Sequence, residues 1–300
     1  MYCSTKSALY SRFFLSTVMT LYSKYDRVYR KFVPSVARLS YNSVIKAGGD
    51  AIARVLALPF PELRDLPPNH LRIRVGSGNH IFNGHVDFIQ TSSRCWLTFL
   101  SRNYCTSRSD VVELGCGCGR IARALNEPLW DPWFEGSYVG VDIDSEMIEY
   151  CRNNFPAGRF EFILSPHNSR TYSPRKSCPA PEAARDFVIA APQSKDFVYS
   201  LSLYTHLLER ELVDYLNETY RILRADGIMY ATFFCIEHIE LGRRWTFRHQ
   251  RGDAYIENPR YPEAAVAYHE AFMTELATNC GFREVTVRRG GISSELVARK

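Results

Sequence analysis

The 300-residue chain lacks any apolar run of the roughly 18 to 20 residues that a membrane-crossing helix needs. Its apolar stretch at 13–22 is broken by Ser16, Thr17 and Thr20, so no transmembrane helix is expected. It also lacks a C-x-x-C pair. The nine cysteines are an odd number without regular spacing, which argues against a disulfide framework and for free thiols in a reducing compartment. Outside the N-terminal stretch there is no excess charge. Residues 1–46 hold eight Lys or Arg against the single acid Asp26, so the net charge of +5 belongs to them. The remainder, with 29 basic and 31 acidic residues, is nearly neutral and requires no nucleic-acid partner. Acids are absent from residues 1–25, a composition shared by transit peptides, weak signal peptides and membrane-surface helices.

A hydrophobic content of 46% over this length can bury one large domain with an appendage, or two small domains. Between 11 and 33 the apolar residues Leu15, Val18, Leu21, Tyr22, Tyr25, Val28, Tyr29 and Phe32 recur at intervals of mostly three and four, predicting an amphipathic helix that ends before Pro34. Its other face carries Arg12, Lys24, Arg27, Arg30 and Lys31. Such a helix either lies on an anionic membrane or a partner, or packs on its own domain with a solvated basic face; the packed arrangement is favoured. Pro59, Pro61, Pro67 and Pro68 mark a connector, followed by a short extended piece at 71–75.

A helical pattern at 86–100 precedes an alternation that lasts to the C-terminus. Strands are expected at 111–114, 138–141, 159–164, 197–200, 228–234, 284–287 and 295–298, with helices at 120–125, 145–154, 207–224 and 264–280. This alternation implies an α/β fold, a mostly parallel sheet covered on both faces. The last two strands, close together, suggest an antiparallel hairpin. Residues 165–184 hold four prolines, four serines, Arg170, Arg175 and Lys176 without apolar periodicity, and read as a surface insertion on the ligand edge of the sheet.

The chemistry sits in Val111-Val112-Glu113-Leu114-Gly115-Cys116-Gly117-Cys118-Gly119-Arg120, a strand, a glycine-rich turn and the start of a helix. Glycines allow a sharp turn and let backbone N–H groups approach a ligand beside the positive end of the following helix. A dinucleotide fingerprint would read G-x-G-x-x-G. Here the third glycine comes one residue early. Twenty-three residues after Gly119, Asp142 ends Tyr138-Val139-Gly140-Val141-Asp142, where an acid can accept hydrogen bonds from two ribose hydroxyls.

With these elements the sequence resembles the class I, Rossmann-like methyltransferases that use S-adenosylmethionine, over about 110–300. The resemblance covers Glu113 to Gly119, Gly140 to Met147, the segment D-F-V-Y-S-L-S-L-Y-T-H-L at 196–207 and Y-R-I-L-R-A-D-G at 220–227. It extends to a bacterial subgroup, often associated with glycosyltransferases, through P-P-x-x-L-R-x-R-V-G at 67–76 and P-E-A-A-V-A-Y at 262–268. It implies a doubly wound, seven-stranded sheet of order 3-2-1-4-5-7-6 with the last strand antiparallel. A helical extension would cover 1–66 and the methyltransferase domain 67–300, with its core at 105–300. The resemblance also implies a cofactor site of Glu113, Gly115, Cys116, Gly117, Gly119, Asp142, Ile143, Ser200 and Leu201. In it the glycines wrap the methionyl part, Glu113 supports the loop, Asp142 binds ribose, Ile143 packs on adenine, and Ser200 and Leu201 flank the methyl group. Tyr204 and His206 lie just beyond. For the adenine contact after the third strand, Asn168 and Asp186 are rivals, and Ala225-Asp226-Gly227 stands where relatives often have Pro-Gly-Gly.

The expected reaction is O-methylation of a sugar, glycan or other small molecule by a cytoplasmic enzyme, with peripheral membrane contact through the basic N-terminal helix as an additional option. A hydroxyl acceptor must lose its proton. His206 is the candidate base; otherwise it caps or packs beside the helix at 207–224. Glu237, His238, Glu240, His269 and Glu270 occupy substrate-facing loops, but the spacing of the first three matches no compact metal motif, so no metal is expected. Cys116 and Cys118 are read as packing residues, Trp130, Trp133 and Phe134 as cover for the sheet edge, and Arg72, Arg74 and Arg120 as candidate carboxylate ligands. The rival functions are a non-catalytic S-adenosylmethionine-binding protein and an NAD-dependent oxidoreductase. The glycine register disfavours the latter.

Overall fold

The computed structural model describes residues 42–59, 61–75, 84–126, 134–167, 169, 187–241 and 245–300. The helix expected at 11–33, most of the 165–184 insertion, and Gly76, Trp130, Trp133, Asn168 and Asp186 lie outside these residues. The strands are β1 (Val111–Leu114), β2 (Tyr138–Asp142), β3 (Phe160–Leu164), β4 (Lys195–Ser200), β5 (Leu223–Cys235), β6 (His249–Arg251), β7 (Ala254–Ile256), β8 (Val266–Tyr268), β9 (Arg283–Arg288) and β10 (Ser294–Arg299). The helices are α1 (Ser43–Ala57), α2 (Pro61–Arg64), α3 (Asn69–Arg72), α4 (Gly84–Ser101), α5 (Ser145–Asn154), α6 (Glu209–Ile222) and α7 (Glu270–Asn279). No helix among the described residues is long and apolar enough to cross a membrane.

Strands β3, β2, β1, β4 and β5 are parallel neighbours in that order, β10 pairs antiparallel with β5, and β9 pairs antiparallel with β10. This is the Rossmann-like order expected for the seven strands, with the antiparallel hairpin at the end. Side chains alternate between the two faces. Val111, Phe197, Tyr199, Ile228 and Tyr230 join an aromatic-rich core with Trp96 and Phe99 of α4. Val112, Leu114, Val198, Met229 and Ala231 enter the other core, with Leu212, Tyr215, Leu216 and Ile222 of α6. Both faces are covered, so β1 is buried at all four positions. The helix α6 presents Leu212, Tyr215, Leu216, Thr219 and Ile222 as one buried stripe at helical spacing.

Four local features differ from the sequence expectations. The glycine turn leads into a four-residue 3-10 turn, Ala122–Leu125, in place of the helix expected at 120–125. The piece at 71–75 is not extended: Pro68 opens the single helical turn α3, where its missing N–H costs nothing. The helix expected from 264 begins only at Glu270, because the apolar residues Val266–Tyr268 form β8 instead. β5 is also longer than expected, and its last residues, Phe234 and Cys235, pair with β8, which continues into β7 and β6. This small sheet was not read from the sequence, since strands of three residues are too short to establish a period.

Candidate functional site

The site grows from the turn between β1 and the 3-10 segment. Gly115, Gly117 and Gly119 all have positive φ, of 78°, 54° and 79°, a region that side chains with a Cβ rarely enter. Space excludes other residues as well, because a Cβ on Gly117 would come within 2.9 Å of Val75 and one on Gly119 within 2.7 Å of Phe155. The turn is tied to β2. Gly115 N–H and Cys116 N–H donate to the Val141 carbonyl at 2.8 and 3.0 Å, and Gly117 N–H donates to Asp142 Oδ2 at 2.8 Å. The other carboxylate oxygen, Oδ1, accepts from Asp144 N–H at 2.9 Å. A third backbone N–H, from Ile143, also bonds to this carboxylate, and a carboxylate has about four acceptor places, so capacity is left for a ligand hydroxyl. Burial raises the Asp142 carboxyl to about 6, against the N–H bonds that favour its charge. Ile143 follows, half-buried, beside the site.

Asp144, next in this chain of bonds, had no place in the sequence reading. Its Oδ1 caps α5 by accepting from Glu146 N–H and Met147 N–H, and its Oδ2 accepts from Arg74 Nη1 at 3.0 Å. Arg74 also reaches Glu146 Oε2 at 2.8 Å, and Glu146 Oε1 lies 3.2 Å from His70 Nε2, while Lys46 of α1 pairs with the same carboxylate. On its other side His70 Nδ1 meets Asp50 of α1 at 2.6 Å. The segment 67–75 is thus bolted across the start of α5, with Val75 against the glycine turn. Arg74 meets protein carboxylates rather than standing as an open carboxylate receptor. An aspartate directly before the helical pattern at 145 was the available capping signal.

Glu113 lies behind the turn, within electrostatic reach of Arg120 and Asp142. It enters the aromatic core, where Oε2 accepts from the Tyr199 hydroxyl at 2.9 Å and from the Tyr138 hydroxyl, linking β1 to β4 and β2. Burial raises its carboxyl to about 8. Cys116 likewise points into that core, with burial pushing its thiol well up, so it offers the site its backbone rather than its sulfur. At the end of β4, Ser200 Oγ is buried with no hydrogen-bond partner among the described residues, beside half-buried Leu201. An orphaned hydroxyl at the mouth of a glycine cradle fits a bound cofactor. Tyr204 is fully buried. His206 Nδ1 lies 2.9 Å from the Glu263 carbonyl, and burial lowers its imidazole to about 4. At that value the imidazole is neutral at physiological pH, and burial disfavours the charged form that proton uptake would create.

The loop residues after β5 converge. Cys235 Sγ–H donates to Glu237 Oε2 at 3.0 Å, His269 Nδ1 lies 2.7 Å from Glu237 Oε1, and His238 Nε2 lies 3.6 Å from Glu270 Oε2. Burial works against the charge on Glu237, yet hydrogen bonds from Cys235, His269 and the backbone hold its carboxyl down to about 2. Cys235 was not singled out in the sequence, where it sits inside an apolar strand.

Residues 111–227 match the family described as "Methyltransferase domain". Protein 235L of Invertebrate iridescent virus 6, which bears a provisional methyltransferase name, is 32% identical over 82 residues, 27% of this chain and 28% of that protein. The chain therefore spans little more than a quarter of the length of that relative. Among solved structures, a SAM-dependent methyltransferase from Methanosarcina mazei is 20% identical with a TM-score of 0.46, covering 67% of this chain and 96% of that one. Another, from Archaeoglobus fulgidus, is 14% identical with a TM-score of 0.45, covering 72% and 97%. The region from β1 to the turn inside β5, which contains the glycine cradle and Asp142, is thus the part of this chain that matches the methyltransferase domain family.

Proposed function

We propose that the protein is an S-adenosylmethionine-dependent methyltransferase acting on the hydroxyl of a small molecule, with a sugar or glycan favoured. The observation that carries this reading is the Gly117 N–H bond to Asp142, which locks a three-glycine cradle to an acid that keeps acceptor capacity for a ribose hydroxyl. When bound, the cofactor supplies a methyl group already activated by its sulfonium. What is left to the protein is largely alignment of nucleophile and methyl. Gly115, Gly117 and Gly119 shape the floor, Asp142 holds the ribose, Ile143 packs on the adenine, and Ser200 and Leu201 border the transferred group. Glu113 and Cys116 act from behind, by fixing β1 between its neighbours and by backbone geometry.

The acceptor side is supported by the segment 262–268. Val266 N–H donates to the Thr205 carbonyl at 2.7 Å, so β8 and the turn before it flank the loop after β4. His206 Nδ1, 2.9 Å from the Glu263 carbonyl, ties that loop to the turn before β8. Calorimetric titration with S-adenosylhomocysteine, and with NAD in parallel, tests the reading. Saturable binding of S-adenosylhomocysteine alone is expected, and binding of NAD in its place would overturn it.

A further inference from the structure

β5 runs parallel to β1 and β4, so its C-terminal end lies on the same edge of the sheet as the glycine cradle, and there a second set of donors meets. Cys235 closes β5, His238 follows at C-x-x-H spacing, and Glu270 is the first residue of α7. A sulfur, an imidazole nitrogen and a carboxylate oxygen from these three all lie within 4.8 Å of one another. Metal–donor bonds of about 2.0 to 2.3 Å place tetrahedral donors about 3.5 Å apart, so small side-chain movements close the set.

Two further observations point to a cation. His238 Nδ1 lies 2.8 Å from Ser294 Oγ on β10. The Ser294 hydroxyl can accept from Nδ1–H, which holds the ring with Nε2 turned toward the Glu270 carboxylate, 3.6 Å away, where a metal can join the two. A second-shell bond on the far nitrogen is also how ligating imidazoles are oriented. The charge is lopsided as well: Glu237 and Glu270 sit beside the thiol with histidines as their ion-pair partners, and no lysine or arginine pairs with them among the described residues.

We propose that Cys235, His238 and Glu270 bind a zinc-class divalent cation through a thiolate, an imidazole nitrogen and a carboxylate oxygen. A soft thiolate and a borderline imidazole beside one hard carboxylate suit zinc rather than magnesium or calcium, which take oxygen ligands. Three protein ligands leave the fourth tetrahedral position for water or an acceptor oxygen. On binding, the S–H bond of Cys235 breaks, sulfur keeps the electron pair for the metal, and the proton leaves to solvent by way of Glu237, its present acceptor. The proposal is independent of the methyltransferase reading, because it concerns other residues and a ligand that can be titrated alone.

Cobalt(II), titrated into the full chain, reports the thiolate bond directly. A saturable sulfur-to-cobalt charge-transfer band in the near ultraviolet is expected, displaced by one equivalent of zinc and absent in Cys235→Ser. His238→Ala and Glu270→Gln should each weaken binding by about 10-fold or more. Glu270 is half exposed, so its variant keeps the test open if Cys235→Ser does not fold. No saturable band in the wild type, a band that survives Cys235→Ser, or unchanged affinity in Glu270→Gln would each overturn the assignment.

Discussion

At Asp142 the bonds that hold the glycine turn and the proposed ribose contact depend on the same charge. Its oxygens accept the Gly117 and Asp144 N–H groups, Ile143 N–H also bonds to it, and acceptor capacity is left for a ligand hydroxyl. Because burial raises this carboxyl to about 6, it protonates just below physiological pH. A proton on either oxygen removes acceptor capacity from the ribose. Affinity for S-adenosylhomocysteine should therefore be flat above about pH 7 and fall as pH drops through 6, approaching tenfold per unit. Calorimetry from pH 5 to 8 measures this, and Asp142→Asn should bind about 10- to 100-fold more weakly with the pH dependence gone, given charge-assisted bonds of about 1.5 to 3 kcal/mol. Affinity that stays constant down to pH 5 would remove Asp142 from the ribose site. His206 illustrates the opposite case, since its position after β4 marks it as a candidate base while burial lowers its imidazole to about 4.

Among the elements, the connector 61–75 departs furthest from expectation. Its prolines signal an irregular stretch, yet the segment ends as a clamp, with Arg74 bridging Asp144 and Glu146 and Val75 closing on Gly117. The Arg74 and Asp144 side chains are 3% and 8% exposed, so removing the cation strands a buried carboxylate. Arg74→Ala should lower unfolding stability by about 3 kcal/mol, the scale of a broken buried pair, and weaken S-adenosylhomocysteine binding as the start of α5 loosens. The Arg108–Glu135 pair, 80% and 54% exposed, is the control. Arg108→Ala should change stability by less than about 1 kcal/mol in the same urea titrations. Equal effects at the two sites would mean that the clamp is incidental.

Across the described residues, His206 on one side and Glu113, with Asp142, on the other set opposing pH responses of stability. His206 has a folded pKa near 4, below its usual 6.5, so only the unfolded chain takes up its proton between those values, and stability falls as pH drops from 6.5 to 4. Glu113 has a folded pKa near 8, above its usual 4.5, so the folded chain keeps a proton that the unfolded chain releases, and stability falls as pH rises from 4.5 to 8. The two trends compete between 4.5 and 6.5. Above 6.5 Glu113 acts without His206. Chemical denaturation from pH 6.5 to 8 should show declining stability in the wild type and a flatter profile in Glu113→Gln; equal slopes would show that Glu113 ionises normally in the fold.

The strand order could be read from the chain because each central strand is a short apolar run bounded by turns, and parallel strands joined by helices leave few arrangements open. The glycine turn and Asp142 were legible for a related reason. Their placement depends on backbone geometry and on the short reach of one β-turn-β unit. Local sequence therefore determined the fold class, the cradle and the acid opposite it. Tertiary structure alone decided whatever depends on residues far apart in sequence: the union of Arg74 with Asp144, the turn of Glu113 toward two tyrosines from neighbouring strands, the burial that weakens His206, and the meeting of Cys235, His238 and Glu270. Burial and long-range contact have no periodicity in the chain, and these are the quantities that set charge, basicity and ligand geometry at the site.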